Sequence, residues 1–213
     1  AVDGMLTVSL AWVLIPIVGA IPLRLSGEYP YFLDAFFEMV SGFTTTGATV
    51  HPNTDGLYRS IIFWRSLSTF LGGMGVLIFA IALFPREAGA IHMAKAEMPG
   101  PNFKKIVAKL SDTAKILYMF YISFTIALFL ILLILGMPVF EAICISLGTA
   151  GTGGFNVRNN SIAHYDSLSI ELVLAIFMIL FAINFQLFYL LLLKQVKKIL
   201  EDEELRVFLL TSV

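Results

Sequence analysis

Residues 34–50, DAFFEMVSGFTTTGATV, contain the pattern that decides how this chain folds. An apolar stretch over residues 33–40 leads into a return that is rich in threonine and glycine, 44-TTTGAT-49. As a helix, this apolar stretch extends only about 12 Å, whereas the hydrocarbon core of a bilayer is about 30 Å thick. The pattern therefore predicts a segment that enters a membrane partway and returns to the same side.

A second segment, 141-EAICISLGTAGTGGFNV-157, repeats the first one 107 positions later. The offset aligns Thr45 with Thr152 and Gly47 with Gly154 without a gap. One such stretch alone is more often an ordinary turn between helices, but two matched copies favour a repeated functional element. We therefore predict two tandem units, each made of a helix, a short re-entrant segment and a second helix.

Long apolar runs flank both segments. With 58% hydrophobic and only 14% charged residues, the chain departs from the soluble average of about 25% charged residues. A spanning helix needs about 20 apolar residues. Four runs of about this length predict spanning helices: 7–23, 60–84, 116–135 and 170–193. The first run contains two prolines, and its alternative interpretation is a buried helix of a soluble protein.

These runs divide the chain into four parts and give it an orientation. We predict a first repeat over residues 1–85, a basic loop over 86–115, a second repeat over 116–200 and the start of a further segment at 201–213. Lysine and arginine concentrate in the basic loop and at 194–198, which predicts that both lie in the cytoplasm. Both chain ends are then cytoplasmic, and the two acidic outer connections can attract cations.

The two return segments have the composition of a carbonyl-lined constriction. Glycine adopts positive φ and allows close approach, while threonine hydroxyls add neutral oxygens. A ring of neutral oxygens replaces the hydration shell of K⁺ in backbone filters, whereas a divalent ion favours converging carboxylates. The predicted ion-binding residues are Thr44, Thr45, Thr46, Gly47, Gly151, Thr152, Gly153 and Gly154.

Two charged residues within the apolar segments are candidates for structural support. Arg65 lies near the outer end of a predicted spanning run, where it can anchor the helix at the headgroups or bind carbonyls of the short helix. Glu38 lies in the first short helix and needs a partner at that depth, either Arg65 or the backbone of the return segment. Asn184 and Gln186 lie in the last run and are interpreted as bridges to neighbouring helices.

Enzymatic chemistry has little support in this sequence. The three histidines are scattered, and no Ser/His/Asp arrangement accompanies a strand–turn–helix signal. The glycine-rich stretch 148–154 lacks the Gly-Lys-Ser/Thr element of a phosphate-binding loop. We therefore assign no catalytic residue and no organic cofactor.

At these residues the sequence resembles the Trk/Ktr/HKT superfamily of potassium transporters. Residues 36–50 are similar to the first pore loop of its bacterial Trk-type members, and 64-WRSL-67 with 71-LGGMG-75 to the helix that follows. The stretch 152-TGGFN-156 with 159-NNSI-162 is similar to the second pore loop. The resemblance covers essentially the whole chain.

The resemblance implies an all-α integral membrane protein that takes up K⁺ through one pore lined by four such repeats. It also implies a homodimer and a cytosolic nucleotide-binding regulatory subunit, for which the basic loop is a candidate docking surface. Plant relatives with serine at the first filter glycine prefer Na⁺, so Gly47 resembles the potassium-selective pattern.

Only two of the four repeats are present in this sequence. Either two copies assemble around one pore, or the chain is half of a longer subunit. The stretch 203-EELRVFL-209 favours the longer subunit, because it resembles the start of a third repeat. The alternatives for function are a non-conducting membrane assembly subunit and a Na⁺-permeable member of the same family.

Overall fold

The computed structural model describes residues 2–83, 102–192 and 202–212, and every regular element in these ranges is helical. Short 3-10 turns occupy Thr54–Gly56 and Ser161–Tyr165. The α-helices are α1 Val2–Leu25, α2 Phe32–Phe43, α3 Arg59–Leu83, α4 Asn102–Ile134, α5 Val139–Ala150, α6 Leu168–Ala182, α7 Phe185–Leu192 and α8 Glu203–Ser212.

The two short helices, α2 and α5, have equal lengths and begin 107 positions apart. Each lies between two longer helices, so the predicted unit of helix, short helix and helix occurs twice. Helix α1 packs on α2 and α3, while α5 packs on α3, α4 and α6. Helix α3 packs on both short helices, α2 and α5, and so joins the two repeats.

Apolar side chains cover the outside of this assembly as well as its centre. Leu128 and Leu132 of α4 are fully buried in the core. On α1, Val18 is 64% exposed, and further large apolar side chains are exposed on α4 and α6, among them Ile126 and Ile176. A surface of this kind is compatible with lipid and unusual for a soluble monomer.

By length and composition, Lys115–Ile134 of α4 is the one stretch of the described ranges that suffices to cross a bilayer. Shorter apolar helices cover Ser9–Leu25, Val139–Ala150 and Leu168–Ala182. The four predicted spans therefore remain a prediction.

The last predicted run, 170–193, is interrupted. Helix α6 ends at Ala182, and Ile183 has extended backbone with ψ of 140°. Asn184 directly precedes α7, and its backbone carbonyl accepts a hydrogen bond from the Leu187 amide (2.9 Å). Its side-chain amide donates to the Glu204 carboxylate of α8 (3.3 Å). Asparagine favours such helix starts because its side chain competes with helical backbone bonds. Asn184 thus links two helices as expected, while the side chain of Gln186 lies outside the described part.

Helix α4 begins earlier than the sequence predicted. It starts at Asn102 and so includes residues 102–115 of the predicted basic loop. The lysine, alanine and leucine residues of this stretch are good helix formers, which accounts for the extension. Residues 86–101 of the predicted loop and the lysines at 194–198 lie outside the described residues.

Candidate functional site

Helix α2 ends in a Schellman motif that starts the first return segment. The amide of Thr46 donates to the Ser41 carbonyl (2.9 Å), and the amide of Thr45 donates to the Gly42 carbonyl (3.0 Å). Thr45 occupies the left-handed position of the motif, with φ of 57°. This position usually holds glycine.

Helix α5 ends in the same way at the equivalent residues. The amide of Gly153 donates to the Gly148 carbonyl (3.2 Å), the amide of Thr152 donates to the Thr149 carbonyl (2.9 Å), and Thr152 has φ of 53°. A β-branched residue in this conformation is a true outlier and costs roughly 1–2 kcal/mol. Strain of this kind concentrates at functional sites, and here it occurs twice at matched positions.

Positive φ recurs two residues later in both turns, at Gly47 (73°) and Gly154 (76°). The residues that begin the turns, Thr44 and Gly151, have φ of −83° and −79°. The amides of the residues between them, Thr45 and Thr46 in the first turn and Thr152 and Gly153 in the second, are used in the hydrogen bonds that end the helices. The two turns therefore follow the same backbone course at matched positions.

The two turns lie against each other through their backbones. A Cβ atom placed on Gly47 would lie 1.5 Å from the carbonyl oxygen of Gly153, so no side chain fits there. A Cβ on Gly153 would lie 3.3 Å from the carbonyl oxygen of Thr45. The structure therefore brings both predicted ion-binding segments, 44–47 and 151–154, to one location.

Helix α3 supports both turns through small residues. A Cβ on Gly72 would lie 2.2 Å from the carbonyl oxygen of Phe43, at the end of α2. A Cβ on Gly151 would lie 2.4 Å from the carbonyl oxygen of Thr69, which is fully buried. Close approach of α3 to the ends of α2 and α5 thus depends on glycine at these contacts.

Glu38 and Arg65 form a buried ion pair behind the first turn. The closest oxygen and nitrogen are 2.7 Å apart, and the side chains are 0% and 2% exposed. The Glu38 carboxylate also accepts hydrogen bonds from the Thr49 hydroxyl (2.8 Å) and the Val50 amide (3.2 Å). Both partners foreseen for Glu38, the arginine and the return segment, therefore contact it together.

In the second repeat the Glu141 carboxylate, at the start of α5, is likewise held by an ion pair and a hydrogen bond. It forms an ion pair with Arg158 (2.5 Å) and accepts a hydrogen bond from the Tyr165 hydroxyl. The hydrogen bond to Glu141 raises the pKa of the Arg158 guanidinium. In the sequence Glu141 is one of the acidic residues of the second outer connection, and only its place after Pro138, in the first turn of a helix, marks it as a usual position for a carboxylate.

Polar contacts also fix the outer ends of the turns. The Asp55 carboxylate accepts from the Asn159 amide (3.1 Å) and so joins the loops of the two repeats. The Asn156 side chain donates to the carbonyl of Gly154 (3.1 Å) and contacts the Ser161 hydroxyl (2.8 Å). In the part of the chain that the structure describes, no group of three or more His, Cys, Asp or Glu residues could hold a metal ion.

A family model described as a cation transport protein, TrkH, matches residues 1–212 of this chain. The chain belongs to the TrkH family. The Trk system potassium uptake protein TrkG of Escherichia coli K12 is 38% identical over an alignment of 216 positions, which covers 99% of this chain and 44% of that protein. TrkH of Salmonella typhimurium is 38% identical over 97% of this chain and 44% of its own length. The chain thus spans less than half the length of these relatives.

The crystal structure of the potassium transporter TrkH from Vibrio parahaemolyticus has the same fold. It superposes with a TM-score of 0.73 at 34% sequence identity, over 89% of this chain and 38% of that one. The predicted resemblance to the Trk/Ktr/HKT superfamily is therefore confirmed. The predicted fold class, an all-α membrane protein of this type, is confirmed as well.

Replacing Tyr165 with phenylalanine tests the anchor of the second turn in this TrkH-family chain. Burial and the hydrogen bond to Glu141 raise the pKa of Tyr165. The folded protein therefore keeps this proton at pH values where the unfolded chain loses it, and stability falls as the pH rises above about 10. Tyr165→Phe should lower the free energy of unfolding by about 1–3 kcal/mol at neutral pH, because the buried Glu141 loses a donor.

The measurement is thermal unfolding of the detergent-purified protein between pH 7 and 11. The variant should lose less stability across this range than the parent protein. Equal slopes would contradict a stabilising role for the Tyr165 proton. Tyr31→Phe is the control, because the Tyr31 side chain is 71% exposed.

Proposed function

We propose that this chain is the first half of the pore-forming subunit of a K⁺ uptake protein. The observation that carries the proposal is the contact between two equivalent turns, each with alternating positive φ and each following a short helix. Neutral backbone oxygens supplied by two such turns would suit a monovalent cation that sheds its water. The potassium uptake function of the similar TrkG and TrkH proteins supports K⁺ as the ion.

In this proposal the ion binds at Thr44, Thr45, Thr46 and Gly47 of the first turn and at Gly151, Thr152, Gly153 and Gly154 of the second. Two turns surround only part of an ion, and the matched relatives are more than twice as long as this chain. Further repeats of the same subunit would complete the ring. Glu38 and Arg65 support the first turn from behind.

The proposed topology has four spans with both ends in the cytoplasm and both turns entering from outside. The concentration of basic residues at 86–115 and 194–198 supports this orientation. Ions would approach through the acidic outer connections, where negative charge raises the local cation concentration. The break between α6 and α7 would then lie on the cytoplasmic side of the second turn.

The proposed partners follow from the family resemblance. We expect a homodimer and a cytosolic nucleotide-binding regulatory subunit, with the basic loop as its docking surface. Setting the orientation is a sufficient role for that loop by itself. Binding of the regulatory subunit to a variant with the basic residues of 86–101 neutralised would separate the two roles.

The proposal is tested by Rb⁺ uptake into cells that lack their own K⁺ uptake systems and express the full-length subunit. We expect saturable Rb⁺ uptake that external K⁺ inhibits more strongly than external Na⁺ does. Stronger inhibition by Na⁺ would favour a Na⁺-permeable member of the family. Membrane insertion without any flux would favour a non-conducting assembly subunit and would contradict the proposal.

A further inference from the structure

Arg65 of α3 contacts one side chain next to each turn. Its guanidinium pairs with Glu38, which holds Thr49 and Val50 after the first turn. On its other side, the guanidinium carbon lies 4.4 Å from the centre of the Phe155 ring. Phe155 directly follows Gly154, the last residue of the second turn, and is 4% exposed.

The ion pair and the ring contact place the Arg65 guanidinium in a buried site. Its Nε atom is buried without a hydrogen-bond partner in the described residues. A cation over an aromatic face gains most where water is excluded, and a planar guanidinium can stack on a ring while it binds a carboxylate. Lysine offers a compact charge that cannot make both contacts in this geometry.

The Phe155 ring also packs against the first repeat. A Cβ on Gly42, in α2, would lie 3.3 Å from Cε2 of this ring and 2.1 Å from the hydroxyl of Ser68. The ring is thus enclosed by α2 and α3, both from the first repeat. Movement of the second turn therefore requires movement of a side chain that the first repeat holds.

We propose that Arg65 is a positioning residue that sets the spacing of the two turns, through Glu38 on the first and Phe155 on the second. Discrimination between K⁺ and Na⁺ requires the oxygens of the ring to stay at a distance that suits the larger ion. Without the stacked guanidinium the spacing of the two turns is held less firmly, and the ring admits the smaller ion more readily. This role rests on the proposed function.

The test compares the K⁺ to Na⁺ permeability ratio of the full-length subunit with those of its Arg65→Lys and Phe155→Leu variants. Purified protein is reconstituted into liposomes, and the ratio is measured from reversal potentials. We expect each variant to lose about fivefold or more of the ratio, as the strength of a buried cation–π contact implies. The double variant should lose no more than the larger single loss, because both changes remove one contact. Phe155→Tyr should retain the ratio.

Arg59→Lys is the matched control. Arg59 is the first residue of α3. Like Arg65 it lies over a phenylalanine ring, with its guanidinium carbon 5.5 Å from the centre of the Phe140 ring, but the Arg59 side chain is exposed. We expect this variant to keep the parent ratio within about twofold, as for an exposed contact.

Three results would overturn the inference while leaving the proposed function intact: unchanged ratios in both test variants, additive losses in the double variant, or an equal loss in Arg59→Lys. Absence of K⁺ current in the parent protein would instead refute the proposed function. If Arg65→Lys does not reach the membrane, Phe155→Leu and Phe155→Tyr decide the outcome, because they leave the ion pair in place.

Discussion

Replacing Gly47 with alanine is expected to lower ion uptake by the proposed full-length subunit about 100-fold. The new Cβ would lie 1.5 Å from the carbonyl oxygen of Gly153, and the obstacle is backbone, so no side-chain rotation can relieve it. The first turn would have to move away from the second by more than an ångström. Misplacement of this size at a functional site lowers rates by about 100-fold. Initial rates of Rb⁺ uptake, normalised to the amount of protein in the membrane, measure the effect.

Gly27→Ala is the control for this experiment. Gly27 has φ of 81°, close to that of Gly47, and among the described residues no atom beyond its two chain neighbours lies within 4 Å of the position of its Cβ. The control therefore carries the cost of a left-handed alanine, about 1–2 kcal/mol, without the collision. Uptake by Gly47→Ala that equals uptake by Gly27→Ala would mean that the contact between the turns is unimportant for transport.

Replacing Glu38 with glutamine should give the largest loss of stability. The change leaves the Arg65 guanidinium buried at 2% exposure with no opposing charge. Breaking a buried ion pair from one side costs about 3–5 kcal/mol, because the remaining charge stays out of water. We expect a large fall in the melting temperature of the purified protein and less folded protein in the membrane. Fluorescence-detected gel filtration after heating measures both.

The paired variant Glu38→Leu with Arg65→Met provides the control. Apolar replacement of both partners of a buried pair is often neutral, so this protein should melt well above the Glu38→Gln variant. Its ion selectivity should still be impaired, since the contact with Phe155 is gone. A double variant as unstable as the single one would contradict the assignment of the stability loss to an unpaired charge.

Much of the fold follows from local patterns in the sequence. The short helices and their offset were predictable because the length of an apolar run and the residues that end it are local properties. Glu38 and Arg65 were foreseen as partners because a charge in an apolar segment must be neutralised. Glycine was expected to supply positive φ in the two return segments; Gly47 and Gly154 do, whereas Gly151 has φ of −79°.

Other features depend on tertiary contacts that no local pattern encodes. Left-handed threonine at positions 45 and 152 contradicts residue preference, although the position after a helix end is where such a residue occurs. The ring of Phe155 meets Arg65 only because α3 packs against both repeats. The helix break at Ile183 could not be predicted from the hydropathy of residues 170–193, which is high throughout. Asn184 was the one residue of this run whose type favours a break.

The most direct test of the central claim is the location of a permeating ion in the full-length protein. A crystal structure with Tl⁺ in place of K⁺ would give anomalous density for the ion. We predict density within coordination distance of carbonyl oxygens from both 44–47 and 151–154. Anomalous density found only near other residues, with these two turns facing lipid or packed away from the ion path, would contradict the claim that both turns bind the ion.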